Sequence, residues 1–308
     1  MNIFQDEFNS FYELLEYFKD EQTCIDYFAF QKWEGKPCCP HCECDKVYCF
    51  SDKRRYKCSN CRKQFSVRTG TIFQDSNLSL KKWFIAIYLI SSHKKGISSH
   101  QLARDLKVTQ KTAWFVLHRI RYAFGECNID VQLSDTVEID EAFIGGKNKN
   151  RHWNKKVKNS QGRSFKDKTP IFGMLQRGGF LIAKVVSDTK VRTLRPLIEK
   201  YISEGSIINT DDWNYGNLSK KYIHKKVDHS SKVYAVGDVY TNTIEGFWGI
   251  FKRGMIGIYN HVSRKHLQKY VDEFVFRYNY RKLKEGERVN KLLSLCCITM
   301  TYKNLIYE

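Results

Sequence analysis

Apolar residues along the start of the chain recur at helical spacing, lose that spacing, then regain it. Phe8, Phe11, Leu15 and Phe18 fall three or four residues apart and predict an amphipathic N-terminal helix. Over residues 46–57 the pattern becomes Val47, Tyr48, Phe50 and Tyr56 among basic side chains, which suits a β-hairpin. Residues 80–90 form an apolar helix, interrupted by Gly96-Ile97-Ser98-Ser99. Ser98 can cap a short helix to Leu106; after a turn at Lys107-Val108, Thr109 can cap another running to about Arg121. Ala103 and Leu106 face Ala113, Val116, Leu117 and Ile120, so the unit reads as a helix-turn-helix. Its bland alternative is a hairpin of helices used only for packing.

Beyond a polar patch at 125–134 the pattern alternates strand and helix. Residues 136–144 are a strand ending at Gly145-Gly146, and 171–176 and 180–187 flank the tight turn Arg177-Gly178-Gly179 as a hairpin. A helix over 191–202, a short buried strand over 206–210 and a helix over 214–221 follow. That order predicts an α/β fold with a central mixed sheet. In the helix expected over 263–281, Leu267, Val271, Phe274 and Tyr278 stripe one face, with Arg264, Lys265, Lys269, Arg277 and Arg281 around it. Core against the sheet is the first reading of that stripe and a dimer contact the second. The expected domains are 1–75, 76–127 and 135–285, with an insertion over 147–168 and a tail over 286–308.

Composition narrows the partners. A formal charge of +19 and a pI near 9.4 exceed what solubility needs and point to double-stranded DNA. No apolar run reaches the roughly 20 residues of a membrane span, and no signal-peptide pattern opens the chain, so a cytosolic, nucleoid-associated protein is expected. Seven of eleven cysteines fall between Cys38 and Cys61, the clustering of a metal site in a cytosolic chain. Cys39-Pro40-His41-Cys42 and Cys58-Ser59-Asn60-Cys61 are two knuckles fifteen residues apart, matched to one structural Zn²⁺ in a zinc ribbon. Cys38, Cys44 and Cys49 are surplus, with Cys38 and Cys44 as substitute ligands. Four thiolates leave no open position, so this zinc supports the module and does no chemistry. Basic residues around it either contact DNA backbone or are an ordinary solvated surface.

Three acids stand where two-metal phosphoryl transfer would need them. They are Asp140 in Val137-Glu138-Ile139-Asp140-Glu141, Asp211 after Ile207-Ile208-Asn209-Thr210, and Glu245 in Asn242-Thr243-Ile244-Glu245-Gly246-Phe247-Trp248. Two Mg²⁺ (or Mn²⁺) ions about 4 Å apart, shared by such carboxylates, serve an in-line displacement at phosphorus. Lys252 follows Glu245 by seven residues, two helical turns, and so shares its helix face. A solvated strand-edge acid is the ordinary fate of each.

Four pieces of the chain together resemble the DDE transposases of bacterial insertion sequences with an N-terminal zinc ribbon, the ISXO2-like group related to eukaryotic Merlin transposons. They are the ribbon leading into Phe65-Ser66-Val67-Arg68-Thr69-Gly70-Thr71-Ile72-Phe73, the stretch Val137 to Lys147, Thr210-Asp211-Asp212-Trp213, and Asn242 to Trp248 with Phe251-Lys252-Arg253-Gly254. The resemblance implies an RNase H-like catalytic domain, terminal inverted repeats and target DNA as substrates, cut-and-paste chemistry, and a dimer on DNA. It makes Asp140 and Asp211 metal ligands, Lys252 a base handling DNA beside them, and Glu245 the third acid, with Asn242 its rival. Glu138 shares Asp140's strand face and is a candidate to approach the metals; Glu141 and Asp212 should point away. His229 and Asp238 read as loop residues.

Thr109, Gln110, Lys111 and Thr112, at the start of the second helix of the helix-turn-helix, are expected to reach DNA bases, with Arg119 further along on the DNA too. Lys147, Lys149, Arg151, Lys155 and Lys156 begin the most basic tract, expected to bind phosphate near the cut, as is Arg253 beside Lys252. Trp153, Trp213 and Trp248 either stack on an unpaired base or are buried. The competing functional reading is a non-catalytic zinc-ribbon DNA-binding regulator derived from a transposase; retention of three acids and Lys252 argues for the enzyme.

Overall fold

Two units make up the chain, residues 1–127 with 282–308, and residues 128–281. The computed structural model describes residues 8–128, 131–145, 152–157, 168–211, 215–216, 218–226, 240–260, 262–300 and 305, without the side chains of 127, 128 and 155.

In the first unit the N-terminal helix expected around Phe8, Phe11, Leu15 and Phe18 is followed by a second that was not expected. α1 (Phe11–Tyr17) starts where the Ser10 side chain accepts from Glu13 N at 3.2 Å, and α2 (Glu21–Trp33) where Asp20 accepts from Thr23 N at 2.8 Å. Asp20, two residues past the predicted stripe, is a capping signal, and it starts the second helix. Leu14 is buried while Phe11 stays 39% exposed. The ribbon is a three-stranded antiparallel sheet, β1 (Val47–Cys49), β2 (Arg55–Cys58) and β3 (Gln64–Ser66), one strand more than the expected hairpin. Trp33 meets Tyr56 with ring centres 5.2 Å apart, seating α2 on the ribbon.

α3 (Leu80–Ser92) precedes α4 (Ser99–Leu106), which ends where Lys107 turns left-handed at φ +50°, and α5 (Gln110–Phe124) follows. Ser98 and Thr109 cap α4 and α5 as expected. Residues 286–308, expected as a tail, carry most of α9 (Glu285–Ser294). Val289, Leu292 and Leu293 bury one stripe of α9, which packs on α3 and α2, and Tyr27 donates to Asn290. Three apolar residues at helical spacing suffice to dock ten residues on an existing core.

The second unit is built on a five-stranded sheet of order β6-β5-β4-β7-β8. β4 (Thr136–Ile144) pairs antiparallel with β5 (Thr169–Gln176), which pairs antiparallel with β6 (Leu181–Val185). After α6 (Val191–Tyr201), β7 (Ile207–Thr210) and β8 (Ile223–Lys226) run parallel to β4, giving the mixed RNase H-like sheet expected. The helix expected over 214–221 is absent from its described residues: Gly216 at φ +79° and a turn ending at Lys221 lead into edge strand β8. A left-handed glycine ends helical geometry there. α7 (Asn242–Gly254) continues as one π-helical turn, Met255–Tyr259, before α8 (Leu267–Asn279).

Period-two alternation sorts β4 between two cores. Val137 and Ile139 pack with Leu194 and Ile198 of α6. Ala142 joins Ile244, Phe247, Trp248 and Phe251 of α7 and Leu267, Val271 and Phe274 of α8. The α8 stripe is therefore core. Arg277, expected among the solvent-facing basic residues, is instead buried, because Glu273 one turn earlier is buried with it and pairs at 2.7 Å. Among the described residues no helix is long and apolar enough to cross a membrane.

Candidate active site and metal centre

β4, central in the sheet, carries Glu138 and Asp140 on the α7 side. Pairing of Ile139 with Thr210 in the parallel register puts Asp211, the residue after β7, alongside Asp140. α7 supplies Glu245 in its first turn and Lys252 two turns later, both exposed and roughly 10 Å apart along the axis. Thr241 donates its hydroxyl to Glu245 Oε1 at 3.2 Å.

The electrostatics tie these four together. Half-buried Asp140 is pushed up to about 7 from 3.8, first by burial and then by the neighbouring charge of Asp211, with Glu245 adding to it. The Glu141 amide, 2.7 Å from Asp140 Oδ1, and the Lys252 charge act the other way. Like charges crowded on one face are what a divalent cation relieves. Among the described residues, only the ribbon cysteines gather three or more candidate ligands within 4.8 Å of one another, so the acid trio is more open. An open set of hard oxygen donors fits a pair of Mg²⁺ ions that complete their shells with water and phosphate.

Glu138 lies apart from that role. It is fully buried, and its carboxylate is taken by Arg177 Nε at 2.8 Å, Thr243 Oγ1 at 2.9 Å and the Thr243 and Ile244 amides at 3.0 Å each. Its acidic side chain on the Asp140 face of β4 is the only signal in the sequence, and nothing in the turn Arg177-Gly178-Gly179 marks Arg177 as its partner. Glu141 is buried on the other face of β4, beside Tyr215, whose hydroxyl is held well above its ordinary range by burial and then by the Glu141 charge. Asp212, Trp213, His229 and Asp238 lie outside the described residues.

Of the residues expected on DNA, Thr109, Gln110 and Lys111 are exposed and Thr112 is half-buried, its hydroxyl 2.9 Å from that of Thr109. Gln110 donates to Ser99 at 2.8 Å, bridging α5 to α4. Arg119 must be reassigned. It is 4% exposed and donates to Ile72 O at 2.7 Å, Gln74 O at 2.6 Å and Met300 O at 3.1 Å, stacked over Phe115. At the tenth position of α5 it falls on the inner stripe, three residues after Val116, where its long stem is covered. Lys147, Lys149 and Arg151 lie outside the described residues, as does the side chain of Lys155; Lys156 and Arg253 are exposed. Trp153 is 86% exposed, whereas Trp248 is buried.

The metal centre of the ribbon is compact. Sγ of Cys39 and Cys61 lie 3.6 Å apart, and Sγ of Cys42 and Cys58 3.5 Å. Tetrahedral zinc with Zn–S bonds of about 2.3 Å requires S···S separations of about 3.8 Å, so the four thiolates fit structural zinc. Cys38, Cys44 and Cys49 are outside this set.

The mixed sheet with its flanking helices defines an RNase H-like domain, carried on a chain that also holds a zinc ribbon. Residues 132–279 match the ISXO2-like transposase domain and residues 19–64 the transposase zinc-ribbon domain, together more than half of the chain. The chain thus carries an ISXO2-like transposase domain and a transposase zinc-ribbon domain. It is 27% identical over 276 residues to an uncharacterized protein in transposable element ISH50 of Halobacterium salinarum, covering 84% of this chain and 91% of that one. An uncharacterized transposase-like protein of Haemophilus influenzae is 29% identical over 111 residues, 35% of this chain and 89% of that one. A pre-cleavage Mos1 transpososome structure is similar at 15% identity, covering 66% of this chain and 75% of that one, with a TM-score of 0.26, too slight a likeness to carry an argument.

Proposed function

We propose that this transposase binds the terminal inverted repeats of its element and catalyses DNA cleavage and strand transfer with two Mg²⁺ (or Mn²⁺) ions. The observation that carries this reading is the single electrostatic cluster of Asp140, Asp211, Glu245 and Lys252. Asp140, Asp211 and Glu245 would hold the ions. Bound there, the ions supply activation of a water or 3′-hydroxyl and stabilisation of the departing oxygen. Lys252, on the Glu245 face of α7, holds a phosphate of the strand being cut, with Arg253 and Lys156 adding charge for the flanking backbone. Glu245 is the better third ligand than Asn242, since its charge already acts on Asp140.

End recognition falls to α4 and α5. Exposed Thr109, Gln110 and Lys111 lead α5, the position from which a recognition helix reads base edges. Two ends must be joined, so the working species is a dimer on DNA. Labelled end fragments incubated with protein and Mg²⁺ should be nicked to 3′-hydroxyl termini at the element boundary. Binding without any nicking would favour the non-catalytic regulator.

A further inference from the structure

We propose that Glu138 is a positioning residue of the catalytic set: it clamps the first turn of α7 to β4 and so holds Glu245 and Lys252 against Asp140. This inference rests on the reading of those residues as the reaction machinery.

The α7 N-terminus has no cap of its own, because Thr241 makes no side-chain cap hydrogen bond to it. Its leading amides are orphan donors that a helix must satisfy somewhere. Glu138 satisfies them from a strand more than 100 residues earlier, Oε2 accepting from both Thr243 N and Ile244 N. Oε1 accepts from Thr243 Oγ1 and Arg177 Nε. Four donors use the roughly four acceptor directions of a carboxylate, so Glu138 has none to give a cation. A buried negative charge at a helix N-terminus is also where the helix dipole favours it.

Arg177 closes the clamp from the other side. It donates to Tyr240 O at 2.8 Å, and its guanidinium carbon stands 3.6 Å from the centre of the Tyr240 ring. The chain is thus gripped on both sides of the α7 start, one residue before Glu245. Glu138 and Asp140 are two residues apart on one rigid strand, and Ile244 and Glu245 are adjacent on one helix. Fixing Glu138 to Ile244 therefore fixes the spacing of the two acids. Burying an ion pair is a poor route to stability and a good one to register, and that is its use here.

The test is the full chain with Glu138→Gln, an isostere whose amide nitrogen cannot accept. Arg177→Lys, which keeps charge but loses the Nε donor, is the second variant should the first not fold. Three readouts are taken per folded molecule: end-fragment binding, the kcat and KM of cleavage, and amide hydrogen exchange at Thr243 and Ile244. The expected result is unchanged binding, exchange faster by roughly tenfold and kcat down about a hundredfold with KM within about twofold. Native exchange, or fast exchange with wild-type kcat, overturns the clamp while wild-type cleavage and an inert Asp140→Asn leave the catalytic reading standing. If the wild type does not cleave, or Asp140→Asn still does, the catalytic reading fails first and the inference falls with it.

Discussion

Gly173 lies directly across the β4–β5 pair from Asp140, and a Cβ on it would stand 2.5 Å from Trp248 Cζ2 and 3.0 Å from Ile244 Cδ1. The helix that carries Glu245 and Lys252 is seated on the sheet through this missing side chain. Gly173→Ala must displace Trp248 and with it α7, at a cost of about 1–3 kcal/mol. Thermal denaturation should show the loss, and cleavage per folded molecule should fall while end binding holds. Unchanged melting and unchanged cleavage would mean that α7 is not seated there.

Arg119 and Lys111 should separate cleanly. Arg119→Met removes three charged hydrogen bonds from a buried site and takes the guanidinium donor from three carbonyls. A loss of about 3 kcal/mol or more is expected in denaturant unfolding. The salt dependence of DNA binding by the folded fraction should not move. Lys111→Ala should do the reverse, leaving stability alone and lowering the salt slope by about 1. Equal salt slopes for Lys111→Ala and wild type would remove Lys111 from the interface.

The ribbon should depend on its metal. Cys39, Cys42, Cys58 and Cys61 surround one point, and Cys39 and Cys58 are wholly buried. Stripping zinc with a chelator, or Cys58→Ser, leaves a three-stranded sheet of three- and four-residue strands with little core of its own. Zinc release measured with a colorimetric chelator should reach one equivalent and accompany loss of end binding. Full affinity after proven removal of zinc would take the ribbon out of DNA recognition.

Asp140 makes stability depend on pH. With zinc retained and no Mg²⁺ added, the folded chain holds a proton up to about pH 7, whereas the unfolded chain releases it near 3.8. The folded state then binds more protons between those values, so stability should fall as pH rises from about 4 to about 7 and level off above. Asp140→Asn should flatten this limb, and Mg²⁺ should raise the melting temperature most at and above pH 7. Identical wild-type and Asp140→Asn profiles would contradict the crowding of charge at Asp140.

Much of this was legible because period and capping agree with tertiary context. Ser98 and Thr109 announce α4 and α5, and the two cysteine knuckles announce the ribbon. Asp211 follows the end of a strand as expected, whereas Asp140 lies in the middle of β4 and Glu245 in the first turn of α7. The misses have physical causes. Asp20 caps a second helix just past the predicted stripe, Gly216 ends the helix expected before β8, and α9 docks with only three buried apolar side chains on its stripe. Arg119 and Arg277 look like surface charges in sequence, and only the carbonyls and the carboxylate that meet them reveal burial. Glu138 was visible as an acid beside Asp140, but its bonds reach residues more than 100 positions away, which no local pattern encodes.

The most direct measurement is cleavage and joining of a supercoiled plasmid that carries the native inverted repeats, with Mg²⁺, comparing wild type with Asp140→Asn. The wild type should release ends bearing 3′-hydroxyls and join them to target DNA, and Asp140→Asn should bind the repeats equally well and do neither. Cleavage by Asp140→Asn at the wild-type rate would contradict the account.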